Sequence, residues 1–183
     1  MQASIAVADD LATQYLLRIG DTALILAQRL GEWTGHAPVL EEDIALANMA
    51  LDLVGQARAV LSHAGATEGA GHDEDQLAFL REERDYRNAT LVELPRGDFA
   101  FTVLRNAMAA TFFRLLWTRL QASSDAELAA IAAKAVKEAR YHQQHAADWV
   151  VRLGDGTEES RRRIERALGD LWLYVPEMFE SDA

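Results

Sequence analysis

Apolar residues recur along this chain at intervals of three and four, which is the spacing of amphipathic helices, and strand-like alternation is scarce. The pattern predicts four long helices, at about residues 10–33, 40–63, 99–121 and 126–153. A further helix is predicted over about 157–180. The first helix is apolar almost all round, which indicates burial from more than one side. The predicted fold class is therefore all-α.

The breaks between these segments predict how the helices are connected. Gly35-His36-Ala37-Pro38 interrupts the chain after the first helix, so the first two helices should form an antiparallel pair. A Gly-rich acidic loop and an amphipathic connector, Gln76 to Leu94, separate this pair from the next two helices, and Asp98 and Thr157 are placed to act as N-caps. Helix pair, crossover, helix pair is the order of a ferritin-like four-helix bundle. We therefore expect a single ferritin-like domain over residues 1–183, with a short connector helix and a C-terminal helix.

Composition and charge exclude several classes of function. The chain has 183 residues, half of them hydrophobic, which is enough for one sizeable core. It contains no Cys, so thiolate metal sites, Fe–S clusters and disulfides are excluded. A net charge of −11 argues against nucleic acid and anionic membranes as partners. Because no basic start precedes the first helix and no apolar run is long enough for a membrane, we predict a soluble cytoplasmic protein.

The fourth helix carries the most suggestive chemistry. In carboxylate-bridged di-iron bundles, two helices each provide a Glu and two more each provide a Glu with a His three residues later. Here Glu138 is followed three residues later by Tyr141, and the histidines come at His142 and His145. All four side chains fall on one side of a helix, so one of the histidines could still approach a shared metal ion.

The other helices do not complete such a ligand set. Residues 99–124 contain no Asp or Glu at all, so the third helix cannot supply a bridging carboxylate. On the second helix Asn48, Asp52 and Gln56 form a polar stripe, and Gly55 stands where a His would be needed. On these grounds a functional di-metal centre is not expected.

These residues are better interpreted as the remnant of a metal site. Asp21, the one acidic residue near the middle of the first helix, is predicted to lie roughly opposite the face defined by Leu16, Ile19, Ala23 and Leu30, and is badly placed for the same cavity. We predict instead a polar network inside the bundle, in which His142, Arg58, Asn48 or Gln56 compensates Glu138. The simpler alternative is that Glu138 and His145 lie on a solvated flank. The remnant positions, which are not expected to bind metal, are Asn48, Asp52, Gln56, Glu138, Tyr141 and His142.

Several segments of the chain resemble the C subunits (PaaC) of bacterial phenylacetyl-CoA epoxidases, a family of ferritin-like proteins. The resemblance runs from about Leu11 to Phe179, and its blocks keep the same order and similar spacing. They are Arg18-Ile19-Gly20-Asp21, Gln28-Arg29-Leu30-Gly31-Glu32-Trp33, Ala45-Leu46-Ala47-Asn48, Gly55-Gln56-Ala57-Arg58 and Lys137-Glu138-Ala139-Arg140-Tyr141-His142.

The resemblance implies a role without catalysis in this chain. In that family a sister subunit of the same fold carries the di-iron centre, a separate reductase supplies electrons from NADPH through flavin and iron–sulfur groups, and small accessory subunits take part. The C subunit has lost the metal ligands and acts as the structural partner of the catalytic subunit. The resemblance therefore assigns this chain no catalytic residue and no cofactor of its own. Family members usually continue for some tens of residues beyond the point that corresponds to position 183.

Two other classes of function stay open at this stage. The first is a stand-alone ferritin-like metal oxidase with a reduced site around Asp52, Glu138 and His142. The second is a helical protein-interaction module unrelated to oxygenation. Metal analysis of the purified chain tests the first, and co-purification with a di-iron homologue tests the second.

Overall fold

The computed structural model describes residues 4–180, and within them the fold is entirely helical. The four long helices are α1 (Leu11–Gly31), α2 (Leu40–Glu68), α5 (Phe99–Leu120) and α6 (Ala126–Gly154). They form two hairpins, α1/α2 and α5/α6, joined by a crossover, which is the order of a ferritin-like bundle. The predicted fold class is confirmed.

Helices α1, α5 and α6 and the C-terminal helix begin at residues whose side chains accept hydrogen bonds from the first backbone N–H groups, whereas α2 follows Val39 and has no such cap. The Asp98 carboxylate accepts a hydrogen bond from the Phe101 N–H at 2.9 Å, and the Thr157 hydroxyl accepts one from the Ser160 N–H at 3.1 Å. Both are the N-caps that the sequence predicts. Asp125 caps α6 in the same way.

Helix α2 is longer than its apolar pattern predicts. It continues through Gly65, which the sequence places in a loop, and ends at Glu68, where the following Gly69, with a φ of 77°, has the left-handed conformation that terminates helices. Gly65 is required inside the helix because a Cβ there would collide with the backbone carbonyl of His72. The residue marks a close approach of two backbones and not a helix end.

The connector differs from the amphipathic helix expected over residues 76–94. It consists of α3 (Glu74–Phe79), a single 3-10 turn, and α4 (Thr90–Glu93), separated by extended segments. Helix α3 has a complete capping box between Asp73 and Gln76. These short pieces lie against α1 and α2, and tertiary contacts set their ends.

The C-terminal helix is also shorter than predicted. Helix α7 spans Glu158–Trp172 and packs on α5 and α6, and the expected continuation is a 3-10 turn, Pro176–Phe179. The helix ends four residues before Pro176, a residue that cannot donate a helical hydrogen bond. The turn is held by Arg18 on α1, which donates from Nη2 to the Glu177 carbonyl at 3.0 Å.

The core is one connected cluster contributed by the long helices, the connector and α7. Helices α2 and α5, among the described residues, are long and apolar enough by composition to cross a membrane. About half of each apolar window is buried inside the bundle, 44% in α2 and 50% in α5. Packing against the neighbouring helices therefore explains their apolar character.

Candidate functional site

Helices α2 and α6 face each other across the bundle interior, and two polar pairs join them at the remnant site. The Gln56 Nε2 donates to Glu138 Oε2 at 2.9 Å, and one turn away His142 Nε2 lies 3.1 Å from Asp52 Oδ2. Gln56 and His142 are buried, whereas Asp52 is partly open to solvent. Glu138 therefore has a partner inside the bundle, and that partner is one of those the sequence proposes.

Helix α5 completes this network with an aromatic side chain. The Trp117 Nε1 donates to Gln56 Oε1 at 3.1 Å, so Trp117, Gln56 and Glu138 form a continuous hydrogen-bonded chain across three helices. Trp117 is fully buried and stacks on Phe113, with ring centroids 6.1 Å apart. Two aromatic rings occupy the helix face that would carry a bridging carboxylate in a di-metal bundle.

A buried polar residue three turns before Trp117 on α5 is an amide. Asn106 is almost fully buried, and its Nδ2 makes only a weak contact, 3.8 Å, with the sulfur of Met49 on α2. An amide and a thioether are poor ligands for hard divalent iron or manganese compared with carboxylates. The composition of α5 therefore removes the ligand on which such a centre depends.

The six remnant positions are separated by the geometry of their helices. Asp52, Gln56, Glu138 and His142 come together, whereas Asn48 is exposed and Tyr141 is half exposed, so of the two candidate amides it is Gln56 that contacts Glu138. Residues four apart advance by about 40° around a helix of 3.6 residues per turn. The stripe therefore turns from solvent at Asn48, through the partly buried Asp52, to the interior at Gln56.

The donor set does not fit a di-iron centre. Across residues 4–180 no group of three or more His, Asp or Glu side chains is arranged to hold a metal ion. The carboxylates of Asp52 and Glu138 are each engaged by one neighbour, and α5 brings no carboxylate to them. Two separate pairs cannot provide the several anionic oxygens that a bridged cluster of hard cations requires.

The electrostatics agree with a structural network. Burial lowers the pKa of His142, and the nearby Asp52 carboxylate opposes that shift without cancelling it. His142 is therefore neutral at pH 7, and with its proton on Nε2 it donates to Asp52. A neutral, hydrogen-bonded histidine satisfies a polar core position without the cost of an unpaired buried charge.

The sequence does not predict that further pairs continue this line of contacts. His145 on α6 lies 2.9 Å from Glu42 on α2, and His63 on α2 lies 2.6 Å from Asp125, the N-cap of α6. His145 is therefore not on a fully solvated flank. Together with the two pairs at the remnant site, these contacts tie the α1/α2 hairpin to the α5/α6 hairpin along one seam.

Asp21 is a further carboxylate that the sequence singles out, and it is buried where the sequence predicts no burial. It does lie away from the α2–α6 network, but it is completely buried and pairs with Arg81 through two contacts, 2.9 and 2.5 Å. The Arg87 N–H donates a third hydrogen bond at 2.9 Å. Burial raises the pKa of the Asp21 carboxyl, and Arg81 opposes this shift. Arg81 begins a run of charged residues, and such runs usually lie on a solvated surface. The sequence therefore does not indicate that Arg81 is buried against Asp21.

The fold and the site thus define the class of protein: a ferritin-like bundle in which the described residues form no metal-ligand set. The chain matches over residues 1–183 the family described as phenylacetic acid catabolic protein. It is 52% identical over 170 residues to the C subunit of 1,2-phenylacetyl-CoA epoxidase from Escherichia coli (strain K12), covering 93% of this chain and 68% of that protein. The chain belongs to the phenylacetic acid catabolic protein family, and the resemblance inferred from its sequence blocks is confirmed.

Proposed function

We propose that this chain is a non-catalytic, structural subunit of a multicomponent phenylacetyl-CoA epoxidase in aerobic phenylacetate breakdown. The observation that carries the proposal is the 52% identity, over nearly all of this chain, to a protein named as the C subunit of that enzyme. The family match over the whole length supports the same pathway.

The interior of the bundle supports the non-catalytic part of the proposal. Trp117, Gln56 and Glu138 bond to one another where a di-metal centre would need free carboxylates, and His142 is committed to Asp52. The chemistry then belongs to a homologous sister subunit that carries di-iron. Reducing equivalents would come from NADPH through a reductase with flavin and iron–sulfur groups, and small accessory subunits would complete the cytoplasmic complex.

The physical contribution of this chain would be rigidity. A catalytic bundle must open locally to admit substrate and oxygen, so its ligand helices have low local stability. A homologous bundle whose helices are joined by cross-helix polar pairs can hold those helices in the competent arrangement. The seam between α2 and α6 provides such pairs in this chain.

Co-expression with the di-iron homologue tests the proposal. We expect one stable complex on sizing, iron in the sister chain only, and full epoxidase activity when this chain carries Glu138→Gln together with His142→Asn. These changes keep a hydrogen-bonding partner for Gln56 and for Asp52. They remove the carboxylate and the imidazole, the two groups that could bind a metal ion or transfer a proton. A substitution of an iron ligand in the sister chain is the matched control and should abolish activity.

Three outcomes would contradict the proposal, two of them its non-catalytic part and one the association with the sister chain. Stoichiometric iron in this chain, or lost activity of the Glu138→Gln, His142→Asn variant within an intact complex, would show that it takes part in chemistry. Failure of the two chains to associate under any condition would favour an interaction module with a role outside oxygenation.

A further inference from the structure

Two arginine side chains are buried among the described residues, and they differ in how their charge is compensated. Arg81 pairs with the buried Asp21 carboxylate. Arg105 on α5 is 0% exposed and makes no ion pair with any described residue; its Nη1 donates to the Leu94 carbonyl at 2.6 Å and to the Pro95 carbonyl at 3.3 Å. Neutral carbonyls do not cancel the charge of a buried guanidinium, which is costly to bury without an anion.

The donors of Arg105 that lack an acceptor lie on one edge of its guanidinium. Nε and Nη2 are both buried, and neither has a hydrogen-bond partner among the described residues. These two N–H groups point in the same direction and form the planar fork that matches two oxygens of a carboxylate or a phosphate. The unsatisfied edge of Arg105 is therefore the one that suits an oxyanion.

Arg29 on α1 brings a second guanidinium to the same region. Its Nη2 donates to the Glu93 carbonyl at 3.0 Å, and the next carbonyl along the chain, that of Leu94, is the one that Arg105 binds. Consecutive Cα atoms are about 3.8 Å apart, so the two guanidinium groups lie close together. Arg29 Nε is also buried without a partner. Burial, and after it the charge of Arg29, lowers the pKa of Arg105 to about 10, and Glu32 opposes this shift.

An open cleft leads to this pair of arginines. Arg29 and Glu93 line it together with Arg84, and its volume is about 840 Å³. Glu32, the carboxylate near the pair, is exposed and already engaged by Arg29 Nη1. A small anion from solvent therefore has a route as far as Arg29, which adjoins Arg105.

We propose that Arg105 and Arg29 bind a small oxyanion, either a carboxylate or inorganic phosphate. Arg105 Nε and Nη2 donate to two of its oxygens, and Arg29 Nε donates a third hydrogen bond. The anion compensates the buried guanidinium and joins α1 to α5, so its binding stabilises the folded chain. The site shares no residue with the α2–α6 network and does not rest on the proposed function.

Scanning calorimetry of the full chain at pH 7, in sodium phosphate, sodium acetate or sodium chloride of equal ionic strength, is the first test. We expect an oxyanion to raise Tm saturably, by about 5–10 °C at a concentration about a hundred times its Kd. Chloride, a single atom that does not match the spacing of the two donors, should have little effect. Whichever of phosphate and acetate acts at the lower concentration identifies the kind of oxyanion.

Variants of the two arginines test the fork by calorimetric titration with that oxyanion. Arg105→Lys keeps the buried charge and removes the fork, so the affinity should fall at least about tenfold. Arg29→Gln changes a partly exposed residue, leaves Arg105 in place and should also weaken binding. Arg84→Gln is the matched control, because it removes an exposed guanidinium from the same cleft and should leave the affinity nearly unchanged.

Nuclear magnetic resonance locates the bound anion. The Nε–H signals of Arg105 and Arg29, each assigned by its loss in the corresponding variant, should shift on titration with phosphate or acetate. The Nε–H of Arg81, which donates to the Leu77 carbonyl at 2.6 Å, is the control and should not shift.

The proposal is overturned if no oxyanion raises Tm, since water alone would then satisfy these donors, or if chloride acts as strongly as the oxyanions. It is also overturned if Arg105→Lys and Arg29→Gln bind as the native chain does, or if Arg84→Gln weakens binding as much as they do. None of these results concerns association with a sister chain, so this proposal and the proposed function can fail separately.

Discussion

The buried pair between Asp21 and Arg81 should contribute a large part of the stability of this protein. Asp21 is completely buried on α1, and Arg81 comes from the connector and is 7% exposed. The carboxylate accepts hydrogen bonds from the connector, through Arg81 and the Arg87 N–H. The substitution Asp21→Asn keeps the size of the side chain but leaves the guanidinium without its counter-charge inside the protein.

Removing one partner of a buried ion pair costs about 3–5 kcal/mol, because the remaining charge is uncompensated. Domains of this kind are stable by about 5–15 kcal/mol in total. For a chain of this length each kcal/mol corresponds to about 2–4 °C, so Tm should fall by about 6–20 °C. The double variant Asp21→Asn, Arg81→Met removes both charges and should recover a substantial part of that loss.

Urea denaturation followed by far-UV circular dichroism at pH 7 measures this free energy of unfolding directly. Glu159→Gln is the control, since it removes only exposed ion pairs, with Arg162 and Arg163, and should change the midpoint little. A loss below about 1 kcal/mol for Asp21→Asn would mean that the buried pair is worth no more than a surface pair, and the reasoning would be refuted.

Three further predictions follow from single contacts. Gly55→Ala should raise the free energy of unfolding by about 0.5–1 kcal/mol, because the space around this helix position is open. Gly65→Ala should lower it by about 1–3 kcal/mol, because its Cβ would meet the His72 carbonyl. Urea denaturation midpoints of the two variants test both values. Trp117→Ala, which removes a fully buried ring and the donor to Gln56, should cost about 3–5 kcal/mol in the same assay. Burial lowers the pKa of His142 in the folded state, so the unfolded chain takes up that proton first and the free energy of unfolding falls as pH drops below about 6.5. His142→Asn should weaken this pH dependence, and an unchanged slope would contradict the assignment.

The absence of a carboxylate from one long helix could be predicted from the sequence because it depends only on which residue types are present. A segment without Asp or Glu, residues 99–124, cannot supply a carboxylate in any fold, so the missing ligand needed no coordinates. The helix starts at Asp98 and Thr157 were also predictable, since a cap bonds to the N–H three residues later and involves no distant part of the chain.

The arrangement inside the bundle required the tertiary structure. The partner of Glu138 was one of four candidates in the sequence, and only the packing of α5 and α6 against α2 places Gln56 between Glu138 and Trp117. Asn48 belongs to the same polar stripe in the sequence and yet faces solvent. Residues four apart differ by about 40° around the helix axis, so Asn48 lies outside the interface that buries Gln56.

The sequence by itself determined the helical periods, the capped helix starts, the absent ligand and the family, all of which depend on residue type and short-range spacing. The tertiary structure alone decided which polar residues are buried and with whom. Asp21 shows the reason: its burial depends on a connector some sixty residues away, and local pattern carries no information about which distant segment will cover a given helix face. The same holds for Leu40, Ile44, Leu51 and Val54 on α2, whose aliphatic side chains indicate burial in sequence and are left exposed by this chain's own fold.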